Sequence, residues 1–256
     1  MKRLVILGAG ESGVGTALLG KKEEYEVFVS DKGKIQEEYK KVLIHNEIEW
    51  EEGMHSKIKI LNADFVMKSP GIPDNVDIVQ QLEGQGVPII SEIEFAAKFT
   101  TANIIGITGS NGKTTTTMLT SHILKEAGLN IGMAGNIGDS FAKQVAETNV
   151  DHYVLEISSF QLDGIECFKP NIAIITNITP DHLDRYDYKF ENYMASKFRI
   201  AMNQTKGDYL IYDADDDVIT SYLKENPIQS TLLPFSLTKK LEQGAYLEKQ
   251  NIKIKI

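Results

Sequence analysis

Twice in this chain an apolar run stops at a glycine turn and gives way to a segment of helical character, first in LVILGAGESGVG (residues 4–15) and again in NIIGITGSNGKTTT (103–116). A buried strand, a tight turn and a helix, met twice, leave few folds open. Each such unit needs a parallel strand covered on both faces, so the chain reads as α/β. In the first turn Gly8, Gly10 and Gly13 keep the G-x-G-x-x-G spacing, and Asp31 ends the next strand, EVFVSD, where an acid meets a ribose hydroxyl. Glycine is required there because the backbone must approach a pyrophosphate seated at the positive end of the helix. Taken alone, this turn favours NAD or FAD over a plain tight turn.

The second turn is more specific. Gly109, Asn111, Gly112, Lys113 and Thr114 place consecutive N–H groups around an anion, an ammonium near the β- and γ-phosphates and a hydroxyl for Mg²⁺. The strict G-x-x-x-x-G-K-[ST] spacing is broken, since Ile107 stands at the first glycine position and the nearest upstream glycine is Gly106. ATP or a similar triphosphate is still the expected ligand. In YVLEISSFQL, Glu156 ends a buried strand, where an open parallel sheet presents its ligands, and Ser158, Ser159 and Gln161 follow. Beside a phosphate loop that carboxylate reads as a Mg²⁺ ligand; without one it would read as a helix cap. TNITPDHLDRY repeats the arrangement on the next strand with Asn177, Asp181, His182 and Asp184, while Lys197, by itself, reads as an exposed lysine.

Length and charge set the frame. With 256 residues, 42% of them hydrophobic, two domains are expected. A formal net charge of −9 argues against a nucleic-acid surface, which needs a stripe of Lys and Arg. Phosphates must therefore be met by backbone N–H groups, a lysine or a bound cation. The single cysteine, Cys167, excludes an internal disulfide and fits a reducing compartment; it reads as a small, partly buried side chain. The apolar start, Leu4 to Leu7, is too short for a signal-peptide core, and no run approaches the roughly 20 residues of a membrane span. A cytoplasmic location without membrane contact is expected.

In the first domain, residues 1–98, VGTALLGKK reads as a helix, followed by short strand-like units in KVLIH near residue 43, ADFVMKSPGIP (63–73) and VPII from 87. The second, residues 99–256, opens with NIIGIT and continues with TTTTMLTSHILKEAG as an amphipathic helix that Gly128 ends. Strands follow in DHYVLEI, NIAIITNI and GDYLIYD, with a helix over ENYMASKFRIAMN and a solvated loop or helix start in DADDD (213–217). From Thr231 polar and apolar residues alternate to the final NIKIKI, as expected of a domain incomplete at its C-terminus.

Taken together, GSNGKTTT, GNIG at 135–138, EISSFQL and TPDHLDRY resemble the Mur ligases of bacterial peptidoglycan synthesis. SPGIP at 69–73, EISSFQL and DHLDRY bring the chain nearest to the branch that adds D-glutamate to UDP-N-acetylmuramoyl-L-alanine. The resemblance implies a Rossmann-like N-terminal domain that holds the UDP substrate, not a redox cofactor, and a P-loop ATPase-like central domain that holds ATP. It further implies a third, C-terminal ligase domain absent from this sequence, so residues 1–256 are expected to bind substrate and ligate poorly.

By position, the resemblance carries the diphosphate to Gly10, Glu11, Ser12 and Gly13, and the uridine to Asp31, Lys32, Ser69, Pro70 and Gly71. It brings Asn136 toward the muramoyl part and adds Ser158 and Gln161 to the nucleotide-sugar site. ATP falls to Gly109, Ser110, Asn111, Gly112, Lys113, Thr114, Thr115 and Asn177. The family uses two Mg²⁺ ions: Thr114 and Glu156 match one site and His182 the other, with Lys197 matching a lysine carbamylated by CO₂. Lys113, Glu156, His182 and Lys197 are then the catalytic set of a monomeric ATP-dependent acid–amino-acid ligase. An NAD-dependent oxidoreductase, a sibling ligase for another amino acid and a non-catalytic nucleotide-binding module stand as alternatives.

Overall fold

The computed structural model describes residues 1–256 and divides them into two compact units. The first comprises Met1–Thr101, Ala134–Asn149 and Phe160–Phe168, and the second Ala102–Met133, Val150–Ser159 and Lys169–Ile256. The chain begins β1 (Arg3–Leu7), α1 (Glu11–Lys22), β2 (Glu26–Asp31), α2 (Glu37–His45), β3 (Glu49–Glu52), α3 (Lys57–Ile60), β4 (Phe65–Lys68), α4 (Asp77–Gly84), β5 (Ile89–Ile90) and α5 (Glu92–Ala97). It continues β6 (Asn103–Thr108), α6 (Lys113–Glu126), β7 (Ile131–Gly135), α7 (Phe141–Glu147), β8 (His152–Glu156), α8 (Ser159–Asp163), β9 (Ile172–Ile175) and α9 (Phe190–Phe198). Last come β10 (Tyr209–Asp213), α10 (Asp217–Glu225), β11 (Thr231–Ser236), β12 (Gly244–Glu248) and β13 (Asn251–Lys255).

The first sheet is parallel throughout, in the order β3-β2-β1-β4-β5. Leu4 to Leu7 are wholly buried, which puts β1 at the centre, and the connections leave it in opposite directions toward β2 and β4. Leu7 pairs with both Ser30 and Lys68, so Gly8, Asp31 and Ser69 emerge together at the carboxyl edge. Ligands of open α/β sheets bind at such a switch point. Beneath it, Val5, Leu7, Phe28, Val66, Val79 and Leu82 form the core.

One strand lies elsewhere than expected. KVLIH is the C-terminal half of α2, with Leu43 its only buried residue, and the strand lies just beyond it in EWEE. That strand pairs with β2 alone at the sheet edge, so no continuous apolar run was needed.

The second sheet runs β13-β12-β11-β10-β9-β6-β8-β7, parallel among β8, β6, β9, β10, β11 and β12 and closed by an antiparallel β12–β13 hairpin. Ile107 pairs with Glu156 and Thr108 with Ile175, which brings the second glycine turn, Glu156 and Thr176 to one edge. Gly128 ends α6 at φ +81°: its N–H bonds Lys125 O and that of Leu129 bonds Leu124 O, the paired bonds of a Schellman stop. The amphipathic reading of α6 fails. Met118, Leu119 and Ile123 are each more than half exposed while Thr117 and Ser121 are buried; Leu124 is the apolar residue that packs with Ile107, Ile131 and Val154. In DADDD, Asp216 is the N-cap of α10, its Oδ1 accepting from Val218 and Ile219 N–H. No helix is long and apolar enough to cross a membrane.

Candidate functional site

The second glycine turn is held from below by the segment after β9. Ser110 N–H donates to Asn177 O at 2.9 Å and Asn111 N–H to Asn177 Oδ1 at 2.9 Å, while Asn177 Nδ2 returns to Asn111 O at 2.9 Å. Thr176 Oγ1 donates to the same carbonyl at 2.8 Å, and Ser110 Oγ donates to Thr179 O at 2.8 Å with Tyr193 OH 3.0 Å away. Asn177 thus clasps the turn itself. Gly112 caps α6 at φ +80°, a left-handed conformation that suits glycine and lets the first-turn N–H groups, which have no intrahelical acceptor, face outward. Lys113 Nζ donates to Gly109 O and Ser110 O at 2.9 and 3.0 Å, an ammonium folded over its own turn.

Next to it, Thr114 Oγ1 donates to Glu156 Oε2 at 2.8 Å, and Glu156 is 1% exposed at the end of β8. A hydroxyl and a buried carboxylate side by side are hard oxygen donors. Mg²⁺ keeps one or two protein ligands and fills its octahedron with phosphate oxygens and waters. The pair therefore fits a cation brought in with a triphosphate, and no group of three or more acidic, His or Cys side chains is arranged to hold a metal ion, nor is one needed.

His182 stands at φ +48°, its imidazole 3.6 Å from Asp181 Oδ2 and largely exposed. Lys197 corrects its expectation: it is 2% exposed, with Nζ 4.6 Å from the centre of the Tyr193 ring. Thr115 is exposed on the first turn of α6. Thr176, Thr179 and Tyr193 were missed; the two threonines flank Asn177 in TNIT, whereas nothing in the sequence marks Tyr193.

In the first turn Gly10 is the extended N-cap of α1 and Gly13 is buried against the turn, where a Cβ would overlap Gly8 O. Asp31 stabilises it: Oδ2 accepts from Ala9 N–H and Oδ1 from Gly33 N–H, both at 2.7 Å. Ser69 N–H donates to Leu7 O at 2.9 Å and bonds the end of β4 to that of β1. A cavity of about 420 Å³ opens here, lined by Gly8, Asp31, Lys32 and Gly71 together with two groups not anticipated, His55 and Lys57. Burial pushes the His55 imidazole below its ordinary pKa, and its Nδ1 lies 2.7 Å from Ser30 Oγ. Glu11 is turned to the protein, its carboxylate accepting from Ser140 N–H and Tyr39 OH. Asn136 is exposed, Pro70 and Ser158 half-buried and Gln161 buried. Cys167 proves exposed, contrary to expectation.

A family model described as the Mur ligase middle domain matches residues 107–255, more than half of the chain. The chain belongs to the Mur ligase family. A second model, the MurD N-terminal domain, matches residues 3–78. Over 255 residues the chain is 64% identical to UDP-N-acetylmuramoylalanine–D-glutamate ligase of Christiangramia forsetii, covering all of this chain and 57% of that protein. It is 53% identical over 254 residues to the ligase of the same name from Bacteroides thetaiotaomicron, covering 99% and 57%. This Mur ligase chain thus spans somewhat more than half the length of the curated relatives it matches. Among solved structures, a UDP-N-acetylmuramate:L-alanyl-γ-D-glutamyl-meso-diaminopimelate ligase from Neisseria superposes with a TM-score of 0.64 at 19% identity, covering 96% of this chain and 83% of that one. The MurC ligase of Thermotoga maritima gives 0.57 at 22%, covering 93% and 53%. These likenesses establish the α/β Mur ligase fold with its Rossmann-like and P-loop-like parts.

Proposed function

We propose that this chain carries the acceptor-binding and ATP-binding parts of an ATP-dependent ligase that joins D-glutamate to UDP-N-acetylmuramoyl-L-alanine in peptidoglycan precursor synthesis. Two glycine turns then serve two phosphorylated substrates. The observation that carries the reading is the second turn, where an outward-facing helix start, the Lys113 ammonium and the Thr114–Glu156 pair meet at one sheet edge. The relatives' names supply the substrates. A Mur ligase structure from Thermotoga maritima solved with ADP supports the nucleotide. The matches do not favour an oxidoreductase.

A carboxylate is a poor electrophile. In the proposed reaction the alanyl carboxylate attacks the γ-phosphorus of ATP and expels ADP; the amine of D-glutamate then attacks the acyl phosphate, forming the amide and releasing phosphate. Bringing two unit anions within about 4 Å costs about 4 kcal/mol at an effective dielectric near 20, and positive charge must offset it. Lys113 supplies part of that charge on leaving its carbonyl contacts for the phosphates. Thr114 and Glu156 would hold Mg²⁺, which when bound neutralises phosphate charge. His182 and a carbamylated Lys197 would serve a second ion, carbamylation turning that buried nitrogen into an anionic oxygen donor. Gly10 and Gly13 bring the front turn to the diphosphate, and Asp31, Lys32 and Gly71 line the uridine cavity. The protein would act in the cytoplasm as a monomer, without nucleic-acid or membrane partners.

Calorimetric titration tests this. UDP-N-acetylmuramoyl-L-alanine and Mg·ATP should each bind, neither displacing the other. NADH competing with the sugar nucleotide for the front turn would overturn the proposal.

A further inference from the structure

The stretch SEIEF places two carboxylates of α5 almost wholly out of water: Glu92 and Glu94 are each 1% exposed. A buried carboxylate is costly unless it is hydrogen-bonded, so each must hold something. Glu94 closes the turn after α8, its Oε2 accepting from the N–H groups of Glu166, Cys167 and Phe168 at 2.9, 3.0 and 2.8 Å. Glu92 reaches the start of α7: Oε1 accepts from Ser140 Oγ at 2.5 Å and from Ala142 N–H at 3.1 Å.

Ser140 already caps α7, accepting from Lys143 N–H at 3.1 Å. A second, buried acceptor from another helix is not needed to start the helix. What it fixes is position. Ser140 N–H donates to Glu11 Oε1 at 3.2 Å on α1, and Ser140 Oγ fills the space that a Cβ on Gly15 would take. The serine is thus held against α1 and α5 together. Four residues upstream lies Asn136, in a loop closed by a bridge between Ala134 and Asp139 and flanked by Gly135 and Gly138 at φ +106° and +77°. Such a loop is aimed by its two ends, and Ser140 follows directly on one of them.

We propose that Glu92 is a positioning residue that aims Asn136 at the muramoyl part of the nucleotide sugar by pinning Ser140 and the start of α7. This rests on the reading above that Asn136 meets that part of the acceptor. Glu92 acts on the loop, not on the ligand.

The test is calorimetry of two ligands, UDP-N-acetylmuramoyl-L-alanine and UDP, on the wild-type chain and on Glu92→Gln, Ser140→Ala, Asn136→Ala and the Glu92→Gln/Asn136→Ala double variant. Glu92→Gln keeps the side chain's size, and Ser140→Ala removes a single oxygen should the first variant fold poorly. Both should weaken the muramoyl nucleotide about tenfold more than UDP, whose smaller loss in Glu92→Gln reflects the Ser12 contact of Glu92, and the Glu92→Gln penalty should largely vanish once Asn136 is alanine. Equal losses for both ligands, no loss for either, or a full penalty that persists without Asn136 would overturn the proposal. A wild-type chain that binds the muramoyl nucleotide no better than UDP instead overturns the underlying reading, and the proposal with it.

Discussion

The two glycine turns share a plan and differ in chemistry. Each has a glycine pressed against neighbouring residues of the sheet edge and another facing open space. Gly13 is crowded by Gly8 O and Gly109 by Thr176 Oγ1, whereas nothing lies within 4 Å of a Cβ built on Gly10 or Gly112. The crowded glycine seats the turn on the strands; the open one lets backbone approach a ligand. Beyond that plan the turns diverge. The second has an ammonium of its own, Lys113, and a hydroxyl–carboxylate pair suited to a cation. The first has neither: its acidic neighbour Glu11 is bonded to Ser140 and Tyr39, and its cations, Lys32 and Lys57, stand off in the cavity wall. A diphosphate that is only gripped needs N–H groups and a helix end. A phosphoryl group that is transferred needs mobile positive charge besides. On the proposed reading the first turn binds, and the second binds and reacts.

Substitutions can break this comparison. The largest effect is expected at the crowded glycines: Gly13→Ala and Gly109→Ala force a methyl group into fixed neighbours, and each should cost about 3 kcal/mol of stability, read as a lowered denaturation midpoint. Lys113→Ala should weaken Mg·ATP about 30-fold, the worth of a charge-assisted contact of about 2 kcal/mol, and leave the sugar nucleotide untouched in the same titration. Loss of both ligands would show that the turns are not independent. Gly112→Ala meets no neighbour but must adopt φ +80°, so about 1 kcal/mol is expected, while Gly10→Ala, in extended backbone and open space, should leave the melting temperature within about a degree.

Much of this contrast was legible in the sequence because it is local. Strand, turn and helix follow one another in LVILGAGESG and NIIGITGSNGKT, and the buried strands of a parallel sheet are unbroken apolar runs. What stayed hidden depends on neighbours distant in the chain. EWEE forms an edge strand because Glu51 meets Ser30 Oγ and Ser56 N–H, and Glu52 meets Ile35 N–H and Lys40, partners no periodicity reveals. α6 inverts its pattern, turning Thr117 and Ser121 inward and leaving Met118, Leu119 and Ile123 in water. Lys197 looked like a surface lysine for want of a signal that the helix face carrying it also carries the buried Tyr193. Nothing local in the sequence distinguishes Glu92 and Glu94; only Ser140, Ala142 and the turn at 166–168 give them a purpose.

The two units also separate by the sign of their pH response. In the first unit, desolvation raises the Glu92 pKa above the ordinary glutamate value, and nearby Glu11 adds to it, against the hydrogen bonds of Ser140, Ala142 and Ser12. A group whose folded pKa is raised contributes stability that is full below its unfolded value, about 4.5, and is lost as pH climbs through the folded value. In the second unit Asp215 is lowered to about 2, first by its hydrogen bond from Thr238 Oγ1 and then by Ser236 Oγ and the Leu237 and Thr238 N–H groups. Its contribution is present above the unfolded value near 3.8 and disappears as pH falls through about 2. Glu92→Gln removes the first titration and Asp215→Asn the second. The gap in melting temperature between wild type and Glu92→Gln should therefore shift against wild type as pH rises above 4.5, followed at Trp50, the single tryptophan, which lies in the first unit. The gap between wild type and Asp215→Asn should close only below pH 4 and stay constant above it. Parallel profiles for both variants would mean that the two carboxylates share one environment, and the contrast drawn between the units would not hold for their electrostatics.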